Sequence, residues 1–82
     1  MKINAVEFVK YAEKAELIGN DTEITGIATD SGAVKKGDLF VCIKGERTDG
    51  HKYAGNAVEN GAVCVLADRK LDINIPYIKV PD

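Results

Sequence analysis

Apolar residues recur along this chain in two rhythms, one helical and one of strands. Ala5, Phe8, Val9, Ala12 and Ala15 follow an i, i+3, i+4, i+7, i+10 spacing, which turns one stripe toward a core and predicts a helix over 5–16. Asn4 stands at its N-cap, and Glu7 three residues later completes a capping box. Ile3 and Phe8 occupy the two positions of a hydrophobic staple. Gly19, Asn20 and Asp21 end the element. Residues 22–29 are rich in Ile and Thr, with Ile24, Gly26 and Ala28 on one parity. They read as a strand in which Gly26 marks a close backbone approach.

Asp30, Ser31 and Gly32 break that strand, and Lys35, Lys36, Gly37 and Asp38 form a turn. Residues 39–43 are continuously apolar, the pattern of a strand buried on both faces. A polar loop over 44–50 follows. Tyr53, Ala54, Ala57 and Val58 then mark the inner face of a short helix, with Asn56, Glu59 and Asn60 outside and Gly61 at C′. Residues 63–66 are a second buried strand. Strand, loop, helix, glycine and strand in this order make a βαβ unit with parallel strands. Leu71, Ile73 and Ile75 alternate until Pro76 breaks the phase, and 77–80 is a last short strand. The pattern predicts one α/β domain over 1–82, with a small, mostly parallel or mixed sheet and flanking helices.

Length narrows this picture. Eighty-two residues have room for one sheet with a helix or two against it, not for several domains around a deep cleft. Enzymes that activate ATP use more chain, so a binding domain, or part of a larger machine, is expected. A net charge of −2, with 11 Lys plus Arg in no run or stripe, weighs against nucleic acid as partner. The longest apolar run, 62–67, is far short of the ~20 residues of a membrane span. No signal-peptide core follows Met1 and Lys2, so a cytoplasmic location is expected.

Cys42 and Cys64 lie inside the runs LFVCI and AVCVL and read as small buried hydrophobes. No CxxC spacing is present and His51 is the one histidine, so neither a disulfide nor a metal site is expected.

Candidate chemistry lies in two loops that leave strand carboxyl ends, where open α/β sheets place their ligands. One is Thr29-Asp30-Ser31-Gly32. The other runs from Lys44 through Gly45, Glu46, Arg47, Thr48, Asp49 and Gly50 to His51. In the second, two glycines allow a tight turn, and the helix start beyond offers N–H groups and a partial positive charge to an anion. Arg47, with Lys44 or His51, supplies charge-assisted donors for a phosphate, and the Ser31 and Thr48 hydroxyls reach the same group or a sugar. The same residues also suit a plain solvated loop, with Asp49 as N-cap, Glu46 and Arg47 as surface charges, and Asp30 holding an Asx turn. His51 suits a general base, a cap or a packing residue. No carboxylate pair, Ser-His-Asp order or Cys-His pair supports catalysis, and the GxxxxGK[ST] and GxGxxG patterns are absent.

The segments ITGIATDS and AVKKGDLFVCIKGERTDGHKYAGNAVENGAVCVL resemble the N-terminal, UDP-binding domain of the Mur ligases, most nearly the MurE type. The likeness covers about residues 24 to 67, and more loosely the first helix and the closing IPYIKVPD. It implies a domain that grips the UDP-MurNAc end of UDP-N-acetylmuramoyl-L-alanyl-D-glutamate. Carried onto this chain, it implies substrate contacts from Thr29, Ser31, Glu46, Arg47 and Thr48, with Asp30, Asp49 and Gly50 as structural support. It also implies that ATP, Mg2+ and the catalytic groups belong to central and C-terminal domains, which lie downstream. The 82-residue chain alone then has no ligase activity. One position departs from the family: Gly32 stands where the family usually has arginine, which removes a bidentate partner that Lys35 or Lys36 replaces only loosely.

Three alternatives stay open. The first is the corresponding MurF domain, which shares the GERxDGH motif and binds UDP-MurNAc-tripeptide. The second is a ligand-free protein-interaction module. The third is a small enzyme built on Cys42, Cys64 or His51.

Overall fold

Alternation along three neighbouring strands divides the apolar residues between two cores. The computed structural model describes residues 1–44 and 49–81. Among them are seven strands: β1 (Ile3–Asn4), β2 (Glu16–Ile18), β3 (Glu23–Ile24), β4 (Gly26–Ala28), β5 (Asp38–Val41), β6 (Cys64–Ala67) and β7 (Tyr77–Lys79). Two α-helices accompany them, α1 (Ala5–Lys10) and α2 (Ala54–Glu59), with 3-10 turns at Ser31–Ala33 and Gly50–Tyr53. Five strands form one mixed sheet in the order β2-β7-β6-β5-β4, parallel throughout except for the antiparallel edge strand β2.

Successive residues of a strand point to opposite faces. Leu39, Cys64 and Ile78 therefore join Ala5 and Ile24 in one core, against which Phe8 and Val9 of α1 pack. Phe40, Val65 and Tyr77 join Ala54 and Ala57 of α2 in the other. The continuous apolar runs follow directly, because every position of β5 and β6 faces one of two helical layers. The pair β5–α2–β6 is the parallel βαβ unit expected from the sequence.

The first helix is shorter than its apolar stripe. It ends at Lys10, the chain turns through Lys14 at φ +60°, and residues 16–18 become β2 beside β7. Ala15 and Leu17 still reach the α1-side core. The helical spacing reported burial correctly but not conformation, since a turn and a strand carry its second half. The cap also differs. Asn4 occupies the N-cap position without a side-chain cap bond. The Val6 N–H is instead accepted by the Asp21 carboxylate at 2.9 Å, and Asn4 Nδ2 donates to the same carboxylate at 3.0 Å. These hydrogen bonds, the one from Val6 first, hold Asp21 below the usual carboxylate range. A carboxylate from across the fold is a stronger acceptor for an orphan helix N–H than a neutral amide.

The strand over 22–29 divides at Thr25. β3 pairs antiparallel with β1, whereas β4 pairs parallel with β5. Gly26 is the close approach anticipated: a Cβ there would overlap Asp38 Oδ1, while Asp38 Oδ2 accepts the Lys35 N–H at 2.9 Å. Gly61, at φ +111°, ends α2 as C′. Its N–H goes to Val58 O at 3.1 Å and that of Ala62 to Ala57 O at 3.0 Å, a Schellman closure. Leu71, Ile73 and Ile75 form no strand, yet all three pack on the α2-side core.

Candidate functional site

The turn after β4 and the turn before α2 meet at the carboxyl ends of their strands. Together they border a cleft of about 560 Å³, with Thr29, Asp30 and Ser31 on one side and Gly50 and Tyr53 on the other. Phe40 and Ile43 complete its lining.

Each border is built by local hydrogen bonds. On the first, Asp30 Oδ1 accepts the Gly32 N–H at 2.9 Å, and Asp30 O accepts that of Ala33 at 2.9 Å. This is the Asx turn anticipated for Asp30. Ser31, only 8% exposed, is held from α2: Asn56 Nδ2 donates to its Oγ at 3.0 Å and Asn60 Nδ2 to its carbonyl at 2.8 Å. The two asparagines, expected on the outer face, are thus the bolts between α2 and this turn. Lying four residues apart, they reach the same neighbour from successive turns of one helix.

On the second border, Lys44 and Asp49 pair as an isolated bridge and Gly50 N–H donates to Ile43 O at 2.8 Å. A Cβ on Gly50 would lie 2.8 Å from Ile43 N and 3.0 Å from Ile43 O, so only glycine fits without a shift. Asp49 Oδ1 accepts the His51 N–H at 3.0 Å. The carboxylate therefore takes one of the donors expected to greet an anion, and the element beginning there is a 3-10 turn rather than a regular helix. Of the sequence candidates, Glu46, Arg47 and Thr48 lie outside the described residues.

His51 points inward instead of toward a ligand, its side chain only 6% exposed. Its Nδ1 sits 2.5 Å from Asp49 Oδ1, and its Nε2 sits 3.0 Å from Asp68 Oδ1 and 3.2 Å from the Asp68 backbone N. Arg69 closes the group, with Nη1 at 3.0 Å from Asp49 Oδ2 and Nε at 2.9 Å from Asp68 Oδ1. The hydrogen bonds from His51, side chain first and backbone second, bring the Asp49 carboxyl down to about 2. Asp68 is lowered chiefly by its bond to Arg69, and Arg69 is raised chiefly by the same bond. Both ring nitrogens face carboxylates, so neither is presented as a base to the cleft.

Cys42 and Cys64 are free thiols, each pushed up to about 11, first of all by burial. That is the condition of an inert thiol, not of a nucleophile.

Sequence reading missed the apolar part of the cleft and its supports. Tyr53, assigned to the buried face, is 41% exposed at the cleft edge. Nothing in the local pattern separated it from Ala54, which is buried. Asp68 and Arg69 carried no signal, because the residues that tie them to the cleft border, His51 and Asp49, lie 17 or more residues away. A second groove, of about 550 Å³, runs beside α1 between Met1, Phe8, Tyr11 and Ile27. Its lining is apolar save for Lys2 and Glu7, and it gathers no convergent polar set.

A family model described as Mur ligase family, catalytic domain, matches residues 23–81. The chain is 44% identical over 80 residues to the UDP-N-acetylmuramoyl-L-alanyl-D-glutamate--2,6-diaminopimelate ligase of Bacillus velezensis, covering 98% of this chain and 16% of that protein. It is 65% identical over 52 residues to the ligase of the same name from Syntrophomonas wolfei, covering 63% and 11%. Among solved structures, MurF from Acinetobacter baumannii superposes with a TM-score of 0.70 at 39% identity, over 74% of this chain and 14% of that one. The chain thus spans only 11% and 16% of the length of these two curated relatives. The matched segment lacks the GxxxxGK[ST] phosphate-binding pattern. The chain belongs to the Mur ligase family.

Proposed function

We propose that this domain binds the UDP-MurNAc end of UDP-N-acetylmuramoyl-L-alanyl-D-glutamate on behalf of a MurE-type, ATP-dependent amide ligase acting in the cytoplasm. The observation that carries this reading is the cleft itself. It brings Thr29, Asp30 and Ser31 of one motif stretch beside Gly50 of the other. The Thr29 and Ser31 hydroxyls are the donors for an oxygen-rich ligand, while the exposed Ile43 and Tyr53 side chains give the apolar surface that a base or sugar face needs. Asp30 and Asp49 act through the backbone they hold, and Gly50 through the approach that it permits. In this reading Glu46, Arg47 and Thr48 add contacts to the uridine part.

The described residues do not fit ATP or Mg2+. The phosphate-binding pattern is missing from the sequence, and among the described residues no group of three or more His, Cys, Asp or Glu side chains is placed to hold a metal ion. On this reading both belong to the central and C-terminal domains of the parent ligase, which are the domain's partners. The chain alone has no ligase activity. Nor is any helix among the described residues long and apolar enough to cross a membrane.

That both sequence relatives are 2,6-diaminopimelate ligases favours the MurE type, and the solved neighbour supports MurF as the second reading. The test is a titration of the isotope-labelled 82-residue chain, followed by amide chemical shifts. UDP and UDP-MurNAc-dipeptide are expected to bind weakly and to shift Thr29 to Gly32 and Glu46 to Gly50, the remaining affinity coming from the other domains. No shift, as a ligand-free interaction module requires, or shifts confined to the outer face of α1, would overturn the proposal.

A further inference from the structure

Ser31 is held on the cleft through both its side chain and its carbonyl. Its carbonyl accepts from Asn60 and its Oγ accepts from Asn56, while Asp30 occupies the neighbouring Gly32 N–H. A serine hydroxyl has one hydrogen and two lone pairs. With one lone pair committed to the Asn56 amide, the hydroxyl keeps its second lone pair and its hydrogen, and that hydrogen cannot point at the donating amide and is free to turn to a ligand. We infer that Asn56 is a positioning residue. By donating to Ser31 Oγ it fixes that hydroxyl as a hydrogen-bond donor to the cleft, so that Ser31 selects an acceptor oxygen, of the kind a phosphate or carbonyl carries.

The inference rests on the reading of the cleft as a UDP-MurNAc-dipeptide site and adds to it a residue and a direction. Asn56 lies on α2, outside the cleft lining, and the backbone of the Ser31 turn is already held by Asn60 and Asp30. The contribution of Asn56 is therefore polarity rather than shape. An aspartate at this position has acceptor oxygens only and would turn the Ser31 hydrogen away from the ligand.

The experiment is a double-mutant cycle on the 82-residue chain, reading affinity for UDP-MurNAc-L-Ala-D-Glu by calorimetry or chemical shifts. Asn56→Asp should weaken binding by about five- to tenfold, the worth of one hydrogen bond, with the folded-state spectrum retained. Ser31→Ala should weaken it by a similar factor. Adding Asn56→Asp to Ser31→Ala should then cost nothing more, since the hydroxyl it would misdirect is gone. If Asn56→Asp fails to fold, Asn56→Ala closes the same cycle, with a smaller loss alone and again none beside Ser31→Ala. Wild-type binding with an unchanged Asn56→Asp affinity overturns the inference and leaves the site reading standing. Fully additive losses overturn it too, because a structural role does not depend on Ser31. A wild-type chain that binds nothing overturns the site reading and this inference together.

Discussion

His51 Nε2 lies 3.0 Å from Asp68 Oδ1, joining the turn before α2 to the carboxyl end of β6. The same nitrogen faces the Asp68 N–H at 3.2 Å, so a neutral ring accepts from the backbone and a protonated ring donates to the carboxylate. Either form finds a partner. The histidine is thus a fastener for the cleft's second border. His51→Ala should lower the melting temperature by roughly 5–10 °C, as expected for loss of a buried hydrogen-bonded side chain from a domain of this size. Combined with Asp68→Ala, its effect should be markedly less than additive. Full additivity in thermal melts would show that the two do not act as a unit.

The Asp49 carboxyl is brought from its ordinary 3.8 down to about 2, mainly by the His51 side chain and then by the His51 N–H. A depressed carboxyl stabilises the fold above its unfolded value and loses that contribution as pH falls through the folded one. Asp49→Asn should therefore lower the melting temperature at pH 6, and the gap from wild type should close between about pH 4 and pH 2. A gap that stays constant with pH would assign the loss to shape rather than charge.

Two glycines near α2 should respond oppositely to alanine. Gly55, inside the helix, has nothing within 4 Å of the position an added Cβ would take, so Gly55→Ala should stabilise by about 0.5–1 kcal/mol through helix propensity. At Gly61, φ is +111° and a Cβ would come within 2.9 Å of Lys36 Cα. Gly61→Ala should cost about 1–3 kcal/mol. Urea denaturation of the two variants separates these signs.

Restoring the family's arginine at Gly32 should be tolerated. A Cβ there meets only Asp30 Oδ1, at 3.4 Å, and the backbone needs no glycine conformation. Gly32→Arg is expected to melt within about 3 °C of wild type, the range of a benign surface change. If the cleft binds UDP-MurNAc-dipeptide, the added guanidinium should tighten that binding. A large fall in melting temperature would mean that this turn excludes a side chain.

Both thiols should resist labelling in the native chain. With Cys42 and Cys64 each near 11, thiolate is scarce at pH 8, and a disulfide reagent should react fully only after unfolding in urea. Rapid native labelling of either cysteine would revive a nucleophilic role.

The pattern of residues 38–67 determined much of this protein before any contact was known. Leu39 to Val41 and Val63 to Leu66 have no polar position to show a solvent face, and Gly61 follows an amphipathic helix. Those facts alone require two buried parallel strands with a crossover. The two motif stretches were equally legible, because turn chemistry is local: Asp30 needs only Gly32 two residues on, and Asp49 only His51. Periodicity misled where the stripe runs past the end of its helix, as at Ala15, which packs on the same core as Phe8 although α1 stops at Lys10 and a turn leads the chain into β2. What only the tertiary structure decided are the partners far apart in the chain: Asp21 for the Val6 N–H, Asn56 and Asn60 for Ser31, and Asp68 and Arg69 around Asp49 and His51. Local propensity cannot specify such pairs, because each hydrogen bond exists only after the sheet has brought separate loops to one edge.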